Sequence, residues 1–512
     1  MLVLTTVQMK RAEQLTASTS LSYIEMMQNA GTMAYNYCEN KYNILTKKSV
    51  VVCGKGNNAG DGFVVAKKIH ENGGSVSIIL CCGESTTTES KQVFSELPID
   101  SIEVICFDSQ LQRARDCINS ADIVIDAVYG TGFHGDLPIT LENIFDAINA
   151  VSAVKVALDI PSGMNADTGI CANHHLIAET TLVFAAAKPA HVKKQAKEIC
   201  GEIEVLDIGI TNEILQMAQH NAVLLTYEMV APFFPKRNPN THKGSYGKFL
   251  NISGSKTMCG AAMMSTLSAM RIGAGVTTLA TPKCVADICA VNLMEAMTVP
   301  LLESQTGSIS ADAIGDMDSL LSNADACLIG CGLSVTEDTK QVVKYIIENV
   351  QKNIVIDADG LNCISKDCSI LKKLQKTAIL TPHPGEMARL TGSTIEQVKA
   401  NGYEMAKQFA QRYQVIVVLK GHKTIIATPE GELYVNSTGN AGLAKGGSGD
   451  VLAGMIGGLL TQGYEPKNAA IGGVYLHGMV ADQLSEQMSQ YSMLARDIIE
   501  QISYTLKGFE SI

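Results

Sequence analysis

The chain has no tryptophan, and aromatics make up only 5% of its 512 residues. Base-stacking platforms and the aromatic belts of membrane spans both need such side chains, so neither is expected. Basic residues are in deficit too: 40 Lys and Arg against 51 Asp and Glu leave a net charge of −11. That excludes a general nucleic-acid or anionic-membrane surface, while a local basic pocket for phosphates stays open. No apolar run reaches membrane-spanning length; the nearest, Val451 to Leu460, is broken by Gly454, Gly457 and Gly458. Cys-x-x-Cys is missing among the 15 cysteines. Cys81 and Cys82 are adjacent, and Cys284/Cys289 and Cys363/Cys368 lack the second pair that a zinc ribbon needs. Scattered and odd in number, they read as reduced thiols of a cytoplasmic protein. The start, MLVLTTVQMKRAEQL, has few apolar residues before Lys10 and Arg11, so no signal peptide is expected.

What is present is the composition of a packed globular protein, 46% hydrophobic and 18% charged. The length suggests two to four domains. In the first half KSVVVCGKGNNAGDG reads as a buried strand, a glycine loop and the start of a helix. SVSIILCC, ADIVIDAVYGTG, VKVALDIPSG, TTLVFAAAKPA and EIEVLDIGI follow, each a β-branched run ending in glycine, proline or polar residues. Such runs separated by helices predict a parallel sheet covered on both faces, with ligands at the carboxyl ends of its strands. The pattern breaks at APFFPKRNPNTHKG, where Pro232, Pro235 and Pro239 interrupt any periodicity. A domain boundary is expected near residue 220. A second α/β series then runs from GKFLNISGS to GSGDVLAGMIGGLL, with a hairpin signal at TPEGEL. Residues 461–512 read as a terminal helical pair with a packing role.

Gly54-Lys-Gly56-Asn-Asn-Ala59 satisfies the G-x-G-x-x-A dinucleotide pattern after a strand, with Glu84 after the next strand. Alone, that predicts an NAD-dependent dehydrogenase or a capped glycine turn. Asn57, Asn58 and Asp61 add polar groups that a pyrophosphate cradle does not need. Asp126 ends IVID and Asp159 ends VALD, and a carboxylate ending a buried strand is costly unless it is paired, bound to a cation or solvated. Neighbouring strand ends bring the oxygens of Asn58, Asp126 and Ser162 towards one point, suited to a hard monovalent or divalent cation. Asp159 stays free for proton chemistry.

GKGNNAGDG, IDAVYGTGFHGD and ALDIPSGMNADTG resemble the NAD(P)H-hydrate epimerase family, which interconverts the R and S forms of NADHX and NADPHX, nicotinamide cofactors hydrated on the ring. The resemblance implies that Asn57, Asn58, Ala59, Gly60 and Asp61, the loop Gly130, Thr131, Gly132, Phe133, His134, Gly135 and Asp136, and Asp159 bind the hydrate. It implies potassium on Asn58, Asp126 and Ser162, and Asp159 as the acid/base group. Ala59 stands where the family more often has glycine.

Gly446-Gly-Ser-Gly-Asp450 precedes the helix VLAGMIGGLL, so its backbone N–H groups form an anion hole with Asp450 in the first helical turn. A carboxylate so placed can take a proton from a hydroxyl while the N–H groups hold a transferring phosphoryl. GGSGD resembles the ribokinase-like superfamily. TPHPGE, KGHKT and GNAGLAKGGSGD in that order resemble ADP-dependent NAD(P)H-hydrate dehydratase, over roughly residues 242–460. Ala441 stands where proline is common. The resemblance implies that Ala262, Gly332, His383 and Asp450 contact the hydrate, and that Lys420, Gly421, His422, Lys423, Thr424 and Gly449 hold the adenine nucleotide. Asp450 would be the base for phosphorylating the ring hydroxyl, with magnesium on the ADP phosphates.

The two resemblances together imply an α/β chain: an N-terminal Rossmann-like three-layer domain, 1–220, then a C-terminal ribokinase-like α/β domain, 221–512. They imply a bifunctional, cytoplasmic repair enzyme acting on NADHX and NADPHX with ADP, a homo-oligomer with neither nucleic-acid nor membrane partner. Two rivals stay open. One is a small-molecule kinase fused to a binding domain; the other is an N-terminal domain that is only an interaction module.

Overall fold

A computed structural model describes residues 2–193 and 196–509. The chain divides into two compact units, Met1–Asn221 and Ala222–Ile512. Asn221, at the end of the first, is in a left-handed turn (φ 55°).

In the first unit helices α1 (Thr6–Thr19) and α2 (Tyr23–Tyr42) precede any strand, and each begins in a capping box, Thr5 with Gln8 and Ser22 with Glu25. Seven parallel strands follow: β1 (Lys48–Cys53), β2 (Ser75–Leu80), β3 (Glu103–Cys106), β4 (Ile123–Ala127), β5 (Val154–Leu158), β6 (Thr180–Phe184) and β7 (Glu202–Leu206). Period-two alternation sends Val51, Ile78, Ile125 and Val156 to one face, against α2 and α3 (Asn57–Glu71). Val50, Ile79 and Val124 pack on the other, with Ile144 and Phe145 of the helix Ile139–Ala150. Burial on both faces explains the near-continuous apolar runs and makes three layers. The strand order is β3-β2-β1-β4-β5-β6-β7. It reverses between β1 and β4, so the crevice lies where Gly54 and Asp126 stand.

The second unit builds a ten-stranded sheet: β8 (Val223–Leu224), β9 (Lys248–Ile252), β10 (Val276–Pro282), β11 (Met297–Leu301), β12 (Ala326–Ile329), β13 (Asn353–Ile356), β14 (Ala378–Leu380), β15 (Ile416–Leu419), β16 (Ile425–Ala427) and β17 (Leu433–Val435). Their order is β11-β10-β9-β12-β13-β14-β15-β16-β17-β8. Only the β15–β16 and β16–β17 pairs are antiparallel, and the turn joining β16 to β17 carries the TPEGEL signal. Helices α4 (Cys259–Arg271), α5 (Pro384–Thr391), α6 (Ser448–Thr461), α7 (Pro466–Ser485) and α8 (Ala495–Phe509) belong to this unit. The glycines of α6 let it lie against α4: a Cβ on Gly454 would stand 2.1 Å from Ser265 O, and one on Gly458 2.4 Å from Ile272. Among the described residues no helix is long and apolar enough to cross a membrane.

Candidate active sites

The first site is a cleft of about 470 Å³ at the β1–β4 switch point. Gly54 is needed where β1 ends, because a Cβ there would meet Val128 O at 2.2 Å. Gly56 then caps α3, and Asn58 in its first turn is buried, donating Nδ2 to Tyr129 O (3.0 Å) and Leu158 O (3.2 Å). Asp126 is fully buried; it accepts from Ser162 Oγ (2.7 Å), Ser162 N (2.8 Å) and Val128 N (3.1 Å). Burial pushes its carboxyl up to about 6 against the pull of those hydrogen bonds. Ser162 Oγ in turn accepts from Tyr129 N (2.8 Å), so Asn58, Asp126 and Ser162 meet around one residue, Tyr129.

Asp159 follows β5 in a left-handed conformation (φ 65°) that turns it into the cleft. Its Oδ1 accepts from the Lys188 ammonium and from Phe184 N (3.3 Å). Lys188 is only 1% exposed, so this is a buried ion pair. Three more carboxyls line the cleft, Glu13, Asp61 and Glu89, and two of them are perturbed. Burial, with Asp159 nearby, holds Glu13 of α1 up at about 7. Burial and the charges of Asp159 and Glu13 hold Asp61 of α3 well above the carboxylate range.

Of the expected hydrate ligands, Asn57, Asn58, Asp61, Gly130, Thr131, Gly132 and Asp159 line the cleft. Ala59 and Gly60 pack the helix instead: Ala59 lies in the core, and a Cβ on Gly60 would stand 2.4 Å from Met27 Sδ. Phe133 is buried beside Tyr129, ring centroids 5.2 Å apart. His134 borders a neighbouring cleft and pairs with Asn165 (2.9 Å), while Gly135, Asp136 and Glu84 are exposed outside both. Glu13 and Lys188 were not expected. Lys188 sits four residues beyond TTLVF, in a strand-end position that was its one signal.

The second site forms where β12, β13, β14 and β15 end. Asp357, after β13, is buried and accepts at Oδ1 from Thr381 Oγ1 (2.7 Å) and Lys420 Nζ (2.8 Å). Lys420 follows β15, its N–H tied to Pro382 O (2.8 Å), and Glu386 lies 3.9 Å from its ammonium. A Cβ on Gly449 would stand 3.3 Å from Lys420 Nζ and 3.9 Å from Asp357 Oδ2, which places the pair against the first turn of α6. Cys331 Sγ and a carboxylate oxygen each of Asp357 and Asp450 lie within 4.8 Å of one another. Burial, then the charge of Asp357, pushes Asp450 up to about 6. Gly447 turns the loop at φ 96°, and the buried Ser448 Oγ has no protein partner among the described residues.

His383 caps α5: its Nδ1 accepts from Gly385 N (3.0 Å) and Glu386 N (3.4 Å), so the proton of the neutral ring sits on Nε2. Burial and the nearby Lys420 and Arg389 hold its pKa down, favouring that neutral form. Gly421, His422, Lys423 and Thr424 make an exposed loop closed on itself, Gly421 N donating to Thr424 Oγ1 (3.3 Å). Ala262 is fully buried in α4, whereas Gly332 (φ 65°) passes over the start of that helix, where a Cβ would meet Met258 O at 2.9 Å. A further residue was missed. Asp482 of α7 accepts from Gly439 N (2.7 Å) and Asn440 Nδ2 (3.0 Å), so the terminal helical pair anchors the GNAG loop as well as packing.

Comparison with known proteins accounts for both halves. The family of YjeF-related protein N-termini matches residues 24–190, and the NAD(P)H-hydrate dehydratase family matches residues 249–504. The bifunctional NAD(P)H-hydrate repair enzyme Nnr of Moorella thermoacetica is 36% identical over 100% of this chain and 97% of its own. That of Escherichia coli K12 is 31% identical over 93% and 88%. The crystal structure of the ADP/ATP-dependent NAD(P)H-hydrate dehydratase from Bacillus subtilis, co-crystallized with ATP/Mg2+, is 34% identical; it covers 57% of this chain and 99% of that one, with a TM-score of 0.49. By its full-length similarity to such two-domain enzymes, this chain belongs to the bifunctional NAD(P)H-hydrate repair family.

Proposed function

We propose that the first unit interconverts the R and S forms of NADHX and NADPHX, and that the second dehydrates the S form at the expense of ADP, giving AMP and phosphate. The observation that carries this reading is the presence of two separate acid clusters, one at the strand ends of each sheet, in a chain similar to bifunctional repair enzymes along its whole length. The dehydrogenase reading of the glycine loop loses its support, because Glu84, the acidic residue that pattern calls for, does not line the cleft.

In the first site Asp159, paired with the buried Lys188, is the acid/base group beside the bound hydrate, while the Gly130–Gly132 backbone borders the ligand. Potassium fits Asn58, Asp126 and Ser162 by donor chemistry: amide, carboxylate and hydroxyl oxygens with a single charge suit a hard monovalent cation. Bound there, it would fix the Tyr129 loop.

In the second site hydroxide is a poor leaving group and phosphate a good one, which explains a nucleotide in a dehydration. Asp450, a stronger base for its raised pKa, takes the proton of the ring hydroxyl as the phosphoryl arrives. Lys420 and the N–H groups of Gly446–Gly449 hold phosphate oxygens, and His383 offers Nε2–H to the hydrate. Magnesium brought with the nucleotide would be held through the carboxylates of Asp357 and Asp450 and would neutralise phosphate charge. The free, mostly buried cysteines support a cytoplasmic setting.

The test is recovery of nicotinamide absorbance from mixed R/S NADHX with ADP and magnesium. Full recovery is expected. A stall once the S form is consumed overturns the first half; no recovery with ADP or ATP overturns the second.

A further inference from the structure

Hydration of an enamine places the hydroxyl on the ring carbon bonded to nitrogen, because the nitrogen lone pair stabilises positive charge there. The same lone pair allows the reverse. When the hydroxyl receives a proton, the C–O bond breaks, its electron pair leaves with water, and an iminium remains. Water then adds to the other face and gives up one proton. Inversion therefore needs a proton donor for the departing hydroxyl and a separate acceptor for the arriving water, with no net change in protons. A lone carboxylate held in a buried ion pair supplies only the acceptor.

We propose that Glu13, projecting from α1, is that second catalytic residue: it gives the proton to the departing hydroxyl while Asp159 takes one from the arriving water, and the two exchange roles in the opposite direction. The proposal rests on the epimerase reading of this site. Glu13 enters the cleft from the helical layer and Asp159 from the end of β5, so the two carboxyls approach from different walls. Glu13 also lines the adjoining cleft with Thr6, Lys10 and His134, a route for water to its side of the ligand. The titratable and charged groups around it are Lys10 on its own helix, Asp61 on α3, Asp159, Lys188, Glu89 and the exposed Lys55 on the cleft wall, and His134 in the adjoining cleft. Only one cation among these, Lys188, is buried, and it is spent on Asp159. Glu13, Asp61 and Asp159 share that one buried ammonium, so a proton stays with Glu13 and Asp61 at neutral pH. Asp61 is the rival holder. It is pushed well above the carboxylate range, whereas Glu13, at about 7, both gives up and regains a proton under working conditions.

The experiment uses the full chain and purified R-NADHX with ADP and magnesium, so that the chain's own dehydratase removes S-NADHX as it forms. Rates are corrected for spontaneous interconversion, and consumption of pure S-NADHX is measured beside them. Glu13→Gln is expected to slow R consumption by about 10²–10³-fold and to leave S consumption unchanged. In the wild type the R rate falls above a pH of about 7 as Glu13 ionises, and Glu13→Asp retains activity with that limb moved. A Glu13→Gln rate within about threefold of wild type, with the same pH profile, overturns the proposal, on the usual scale of acid–base catalysis. So does loss of the limb in Asp61→Asn but not in Glu13→Gln. If Glu13→Gln does not fold, an unmoved limb in Glu13→Asp overturns it as well. Wild-type protein that consumes S but never R overturns the epimerase reading itself, and this proposal with it.

Discussion

Each domain buries a lysine–aspartate pair at its strand ends, but the lysines neutralise different partners. Lys188 binds Asp159, the residue assigned to the chemistry. Lys420 binds Asp357, a neighbour of the assigned base, and Asp450 is left without an ammonium of its own. The first arrangement pairs the carboxylate with a buried cation, and the raised pKa values fall on the neighbouring acids Glu13 and Asp61. The second leaves a carboxylate beside another and raises its basicity. The same two residue types thus make a site for shuttling protons in one domain and for deprotonating a hydroxyl in the other.

Removing the two acids breaks this comparison most directly. Asp159→Asn should abolish R consumption and spare S consumption; Asp450→Asn should abolish dehydration of both epimers and spare R-to-S interconversion, each loss being about 10²–10⁴-fold. Their effects on stability should be opposite in sign. Asp159→Asn leaves the buried Lys188 uncompensated and should cost about 3–5 kcal/mol, seen as faster amide exchange around β5 and β6. Asp450 has a folded pKa near 6, above its ordinary carboxylate value, so ionisation at neutral pH opposes folding. Asp450→Asn should therefore stabilise the second domain, by about 1–3 kcal/mol. Equal destabilisation by both variants would contradict the assigned pairings.

The lysines sharpen the point with a smaller effect. Lys420→Met removes the charge that holds Asp450 down, so the surviving dehydratase activity should lose its acid limb at a higher pH than in the wild type. In the wild type that limb falls as Asp450 protonates, below a pH of about 6. A pH profile of S consumption at saturating ADP for both proteins decides it; coincident limbs would mean that Asp450 is not the titrating base.

How much of this was legible in the sequence follows from where the residues sit. Asp126, Asp159 and Lys420 all follow or end apolar strands, and a charged group at such an end is visible in one dimension; Asp357 stands in the same place after β13 but was not singled out. Both α/β layers and the glycine loops were readable for the same reason, since strand burial on two faces leaves continuous apolar runs. Ala59, Gly60 and Phe133 lie within the motifs yet face the core, because a motif marks a stretch of backbone and not the direction of each side chain. Glu13 had no such signal. It belongs to a helix before the first strand, and only the packing of α1 brings it to the cleft.

Asp482 is the clearest case of a residue that topology alone reveals, and it offers the mildest test. It lies on α7, about forty residues beyond the loop whose Gly439 N–H and Asn440 amide it accepts. Gly439 holds φ at 101°, so the loop is shaped by backbone and its conformation depends on such outside anchors. Asp482→Ala leaves two donors unmet and should cost about 1–3 kcal/mol locally. Because Asp482 lies outside the cluster of Asp357, Lys420 and Asp450, the loss should appear mainly as a raised KM for the hydrate or ADP, with kcat changed little and R-to-S conversion unchanged. A fall in kcat matching that of Asp450→Asn would place Asp482 in the chemistry, and the second site would then depend on two helices of the domain instead of one.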